Sequence, residues 1–208
     1  MKKRIIILFL LLCCLVWAVR AAYGWLSIHP VAGSGGVWFP VKHELSVRSF
    51  LQGDSRWGED FLGPTKDTLT QVGCAVTSAA MVLDFHGIKT DPGELNSFLT
   101  KLPGGYTPEG WIYWEKAAEL SPEKSAGLLP HYEAGASHAL IDMNLIRGNP
   151  VIARVRLKNG ITHFVVIVGK DGWDYLILDP GSAGAKGVYP LKDLGVPVNA
   201  LRFYGIPG

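Results

Sequence analysis

The chain has 208 residues, 48% of them hydrophobic and 18% charged. That is enough apolar side chain for one buried core and too few charges for a disordered tail or a nucleic-acid arm. Lys and Arg number 20 against 18 Asp and Glu, a formal balance of +2, so no field of one sign argues for a polyanion and no nucleic-acid partner is expected.

Met1 to Arg4 reads MKKR, and Ile5 to Val19 runs without Asp, Glu, Pro or Gly. This is the basic region and apolar core of an export signal. Residues 1–22 are read as a signal peptide or, if uncleaved, as an N-terminal membrane anchor with residues 5–22 as the tether. The remainder is expected outside the cytosol, as a secreted, periplasmic or cell-surface protein. Without these residues the chain keeps 16 basic and 18 acidic side chains, a net charge of about −2, and its three cysteines fall to one, Cys74. A single cysteine forms no internal disulfide, and an unpaired thiol in an oxidising compartment needs a reason to exist.

Residues 23–43 carry Pro30, Gly33, Gly35, Gly36 and Pro40 and read as a linker. Residues 44–208 read as one domain, without repeats or low-complexity segments. Its first strong element is Cys74 to Phe85, CAVTSAAMVLDF, apolar or small nearly all round with Gly87 beyond its end, which predicts a central buried helix. Thr90 or Asp91 before Pro92, and Thr107 before Pro108, read as caps of two further helices. A fourth is expected over 137–147, ending at Gly148. Strands are then expected over 151–157, 161–168 and 173–178, joined by turns at Asn159-Gly160 and Asp171-Gly172. Helices followed by an antiparallel meander predict an α+β fold.

Cys74 opens the buried helix directly after Gly73, where free backbone N–H groups favour an anion such as a thiolate. A nucleophilic thiol needs a base, and the candidates are His29, His43, His86, His131, His138 and His163. His163 lies in the strand sequence ITHFVVIVG, sharing a face with Val165 and Ile167; Asp179 ends the next strand, YLILDPGS. A three-residue loop at Lys170-Asp171-Gly172 sets His163 opposite Asp179, whereas a two-residue turn sets it opposite Pro180 and turns Asp179 to the other face. The three-residue loop is preferred because Gly172 suits its left-handed position. The carboxylate then holds one ring nitrogen and leaves the other for a thiol, the logic of a Cys-His-Asp site. His86 ends the Cys74 helix, about three turns from the thiol, and is too far to serve it.

The blocks FLQGDSRWGEDFLG (Phe50 to Gly63), TLTQVGCAVTSAAMVLDFHG (Thr68 to Gly87), HFVVIVG (His163 to Gly169) and ILDPG (Ile177 to Gly181) resemble the bacteriocin-processing (double-glycine) peptidase-like domains, a branch of the papain-like cysteine peptidases. The resemblance spans most of residues 48–185. It implies a papain-like fold with Cys74 as nucleophile, His163 as general base and acid, and Asp179 orienting the imidazole. It also implies a glutamine donating to the oxyanion beside the Cys74 N–H. Gln52 is assigned that role, with Gln71 as competitor; Thr68 stands six residues before the cysteine, where leader-processing members often place theirs. Trp57 belongs to the same block as core or cleft wall. Trp111 to Trp114 read as packing after a capped helix start, with an aromatic cleft rim as the alternative.

There is no H-E-x-x-H, no cysteine pair and no His-rich tract, so neither a metal nor a cofactor is expected. A serine-hydrolase elbow and a phosphate loop are also missing. The expectation is an exported thiol hydrolase cleaving peptide bonds, acting as a monomer on a peptide or cell-envelope substrate. The alternatives are a non-catalytic envelope-binding domain of the same fold and an amide-transferring thiol enzyme.

Overall fold

The computed structural model describes residues 2–125 and 127–205; Met1, in the segment expected to be a signal or anchor, and Ala126 and residues 206–208, in the expected 44–208 domain, lie outside the described residues. In chain order the elements are α1 (Lys2–Leu26), β1 (Ser34–Glu44), α2 (Leu69–Val72), α3 (Cys74–Phe85), α4 (Pro92–Lys101), α5 (Trp114–Ala118), α6 (Pro122–Ser125), β2 (Leu129–Glu133), α7 (His138–Ile146), β3 (Val151–Arg156), β4 (Thr162–Leu178), β5 (Tyr189–Pro190) and β6 (Val198–Gly205). The strands make one antiparallel sheet in the order β1-β4-β3-β6-β2, with β5 added on β4. The fold is α+β and papain-like.

The sheet buries both faces. Phe164, Val166, Val168, Ile152 and Tyr204 face α3 and α4, while Val165, Ile167, Tyr175, Ile177 and Leu201 form a second core with Ile141 and Leu145 of α7. Helix α3 is buried from Val76 to Asp84, as its lack of a polar face requires. Gly87 beyond it takes φ +87°, a left-handed value that a residue with a Cβ resists. The other helix starts follow their caps: the Asp91 carboxylate accepts from the Glu94 N–H ahead of α4, and the Ser137 hydroxyl accepts from the Leu140 N–H ahead of α7.

Thr107-Pro108 starts no helix. The Gly110 N–H donates to the Thr107 carbonyl, and the Thr107 hydroxyl oxygen accepts from the Trp111 N–H. Pro at the second and Gly at the fourth position are the residues of a tight turn, and α5 begins only at Trp114. The expected strands 161–168 and 173–178 join as one ribbon, β4, which contains the turn.

The linker expectation for residues 23–43 is corrected most. Ser34–Glu44 is strand β1, paired with residues 169–174 of β4, and Val31 is buried and bridged to Val198. The cause is a buried ion pair. Lys170, placed at the start of a three-residue loop by the sequence pattern, is fully buried: its Nζ donates to Asp142 Oδ1 and to the Gly35 carbonyl, both at 2.6 Å. Asp142 also accepts from Tyr175 Oη, the Val37 N–H and the Trp25 indole. A Cβ on Gly36 would strike this carboxylate, so the glycines that read as linker are what lets β1 approach it. Helix α1, whose window Phe9–Leu26 has mean hydropathy 1.8 and no buried share, is long and apolar enough to cross a membrane, and through Trp25 its end is tied to the domain.

Removing one partner of a buried ion pair leaves an uncompensated charge and costs about 3–5 kcal/mol. Asp142→Ala is therefore expected to lose about that much in chemical denaturation. The double variant Asp142→Leu with Lys170→Met is expected to recover a large part of it.

Candidate active site

Cys74 at the start of α3, Gln52 in the loop before α2, and His163 and Asp179 at the two ends of β4 come from three segments, and the fold brings them together. Gly73 precedes Cys74 against the Leu69 carbonyl, where a Cβ would clash with backbone, so α2 and α3 meet at a junction only glycine fits. Cys74 is the first residue of α3 and lines a cavity of about 350 Å³. His163 stands at the start of β4, beside Phe164 and on the same cavity wall.

His163 Nε2 and Asp179 Oδ1 are 2.7 Å apart. Fully extended, 16 residues of strand would span roughly 50 Å, so β4 must double back between them. The reversal lies at Gly172, which has φ +56°. Val165 and Ile167 share a core with Tyr175 and Ile177, the same-face relation of the three-residue loop and not of the two-residue turn. Asp179 accepts three hydrogen bonds: from His163, from the Gly181 N–H at 2.8 Å, and on Oδ2 from Tyr189 Oη at 2.6 Å. No sequence motif marks Tyr189, because its approach depends on β5 pairing Tyr189 with Ile177.

The electrostatics follow from these contacts. Burial works to lower the His163 pKa but is outweighed by its hydrogen bonds to Asp179 and Cys74 and by their charges, so it is raised to about 9. Burial works to raise the Asp179 pKa and is outweighed by its hydrogen bonds from His163 and Tyr189, the His163 charge and the Gly181 N–H, so it is lowered. With Nε2 engaged by Asp179, the other ring nitrogen is left for Cys74, which lines the same cavity and helps raise the imidazole pKa. The thiol, a protonated ring and a fixed carboxylate are the parts needed to attack a carbonyl and protonate a leaving group.

Both candidate glutamines line the cavity. Gln52 Nε2 donates to the Thr70 carbonyl at 2.7 Å, which fixes the orientation of its amide, and its backbone N–H donates to Pro180, next to Asp179. The Trp57 indole donates to the Leu51 carbonyl, so this buried tryptophan holds the loop carrying Gln52. Gln71 Oε1 accepts from the Thr68 N–H and caps α2. Of the aromatic run, Ile112 and Trp114 are buried while Trp111 and Tyr113 are exposed, and Trp111 lines the cavity, so the run serves both packing and cleft rim. His86 bonds Asn149 and His138 bonds Tyr175, both away from Cys74. Among the described residues no three His, Cys, Asp or Glu side chains converge as a metal site.

Residues 51–195 match the family model of the Peptidase_C39-like family, which is more than half of the chain, and the chain belongs to that family. Among solved structures it is similar to a Bacillus anthracis protein described as a C39-like peptidase, with TM-score 0.52 and 19% identity over 81% of this chain and 100% of that one. It is also similar to the double-glycine motif protease of an AMS/PCAT transporter, solved with a leader peptide, with TM-score 0.44 and 16% identity over 87% of this chain and 100% of that one. No protein of curated function matches it.

A group whose pKa is raised on folding stabilises the fold fully below its unfolded value, near 6.5 for histidine, and loses that contribution as pH rises through the folded value. The melting temperature is therefore expected to fall between about pH 6.5 and 9 through His163. In Asp179→Asn that slope is expected to flatten, which thermal denaturation across pH would show. Tyr189→Phe leaves Asp179 Oδ2 without its donor and is expected to cost about 1–3 kcal/mol in the same measurement.

Proposed function

We propose that the protein is an exported cysteine peptidase that cleaves peptide bonds through an acyl-enzyme on Cys74. The observation that carries the reading is the 2.7 Å contact between His163 and Asp179, on an imidazole that lines the same cavity as a helix-start thiol. Cys74 passes its proton to His163, its thiolate attacks the scissile carbonyl carbon, and the oxyanion is held by the Cys74 N–H and the Gln52 amide. Collapse breaks the C–N bond as His163 gives its proton to the departing amine, leaving a thioester. Water then attacks the thioester and gives a proton to His163. The C–S bond breaks, releasing the acid. Asp179 keeps the ring oriented through both steps.

Export rests on α1, whose apolar window suits either a signal or an anchor and leaves the cleft on the outer side. What the sequence and fold support for substrate class is a peptide in a cleft with Leu62, Val72, Ile112 and Trp111 on its walls.

Screening a quenched-peptide library with the full chain is expected to give turnover that Cys74→Ala abolishes. Gln52→Ala is expected to lower kcat by about 10²–10³, the effect of losing one oxyanion donor. Activity is expected to decline above about pH 9, where His163 gives up the proton it delivers. A Cys74 that iodoacetamide alkylates no faster in the wild type than after His163→Ala would refute the reading.

A further inference from the structure

A second cavity, of about 320 Å³, adjoins the cleft and shares Trp111, Ile112 and Phe164 with it. Arg154 and Arg202 both line it. They belong to β3 and β6, and their even-numbered neighbours Ile152 and Tyr204 lie on the α3 side of the sheet, so the two guanidinium groups project from one face. Arg202 is only 2% exposed. Its Nη1 donates to the Glu133 and Leu201 carbonyls and its guanidinium stacks on the Tyr132 ring at 3.4 Å, but its Nε is buried without a partner. Among the described residues neither arginine is in an ion pair, although Glu115 also lines the cavity.

A buried cation without a counter-ion is costly. Burial and the Arg154 charge together lower the Arg202 pKa to about 10, against the opposing pull of Tyr132 and Glu133. Two planar guanidinium groups in one pocket suit a carboxylate, which accepts paired N–H bonds. Phe164, next to His163, pairs with Arg154, and Arg202 lies one strand further on β6. Two strand spacings place Arg202, at the far side of the pocket, roughly 10 Å from the His163 strand, and an extended peptide covers that in roughly three residues.

We propose that the Arg154–Arg202 pocket is a specificity subsite that binds a carboxylate of the substrate peptide, roughly three residues from the scissile bond. As a substrate subsite it rests on the peptidase reading; as a carboxylate site it does not. The carboxylate is an acidic side chain or the C-terminus, and the test separates them.

The full chain carrying Cys74→Ala, which holds peptides without cleaving them, is titrated by fluorescence anisotropy with labelled, end-blocked Ala/Gly hexapeptides. A single Glu, or its isostere Gln, occupies each position in turn, and one further arm leaves the C-terminus free. The expected result is a position, or the free-acid arm, at which the carboxylate binds about tenfold tighter than its neutral counterpart. Half-buried Arg154→Gln is expected to reduce that preference to within about twofold while keeping the far-ultraviolet spectrum, so the test stands even where Arg202→Gln fails to fold. Equal or absent binding across the series, or a preference that survives Arg154→Gln, overturns the proposal. A wild-type chain that cleaves nothing while Cys74→Ala keeps the preference removes the peptidase reading alone; cleavage without the preference removes the subsite alone.

Discussion

Strand β4 carries more of this protein than any other element, because both the sheet and the site need it to reverse direction at one place. His163 and Asp179 meet at 2.7 Å across sixteen residues, a contact that an extended strand forbids and that Gly172, at φ +56°, permits. The same ribbon pairs with β1, β3 and β5. A shift of one residue in its register would send Asp179 to the other face and exchange the core positions Val165, Ile167, Tyr175 and Ile177 with their neighbours. Register is thus held by the packing of two cores as well as by the turn.

Within that frame the site is a set of short polar tethers in an apolar setting. Asp179 is surrounded by donors from a side chain on its own ribbon, a backbone amide two residues on, and Tyr189 ten residues on. An acceptor with three donors has little freedom to rotate, so the ring it holds keeps one nitrogen toward the cysteine. The Gln52 loop is joined to the same corner through Pro180 and anchored by Trp57. Nucleophile and amide are borne by two separate segments and ring and carboxylate by the two ends of the β4 ribbon, and each is fixed by backbone hydrogen bonds or core packing before any substrate arrives.

At the far end of the ribbon a different polar device holds the N-terminal region. The fully buried Lys170–Asp142 pair collects Gly35, Val37, Tyr175 and Trp25 around itself. A strand and the end of an apolar helix are thereby attached to a domain that composition alone would separate from them. Buried charge is expensive unless every oxygen and proton is used, and here both carboxylate oxygens are engaged, so residues 34–44 are part of the fold.

Local signals determined much of this from sequence. The all-round apolar run of α3, the capping residues Asp91 and Ser137, and the odd-numbered alternation linking His163 with Asp179 are properties of neighbouring residues, and physics acts on them at short range. The pattern also isolated Cys74, once the apolar N-terminal run and its two cysteines were set aside. Only the tertiary structure decided the rest. The turn at Thr107-Pro108 has the same first residues as a helix start, and the hydrogen bonds from Gly110 and Trp111 select between them. Strand β6, buried on both faces, shows no alternation to read. Tyr189, the buried Lys170 and the Arg154–Arg202 pocket depend on partners distant in the chain. Which charge finds which counter-charge is set by how strands stack across the sheet, an arrangement of distant segments that no run of adjacent residues encodes.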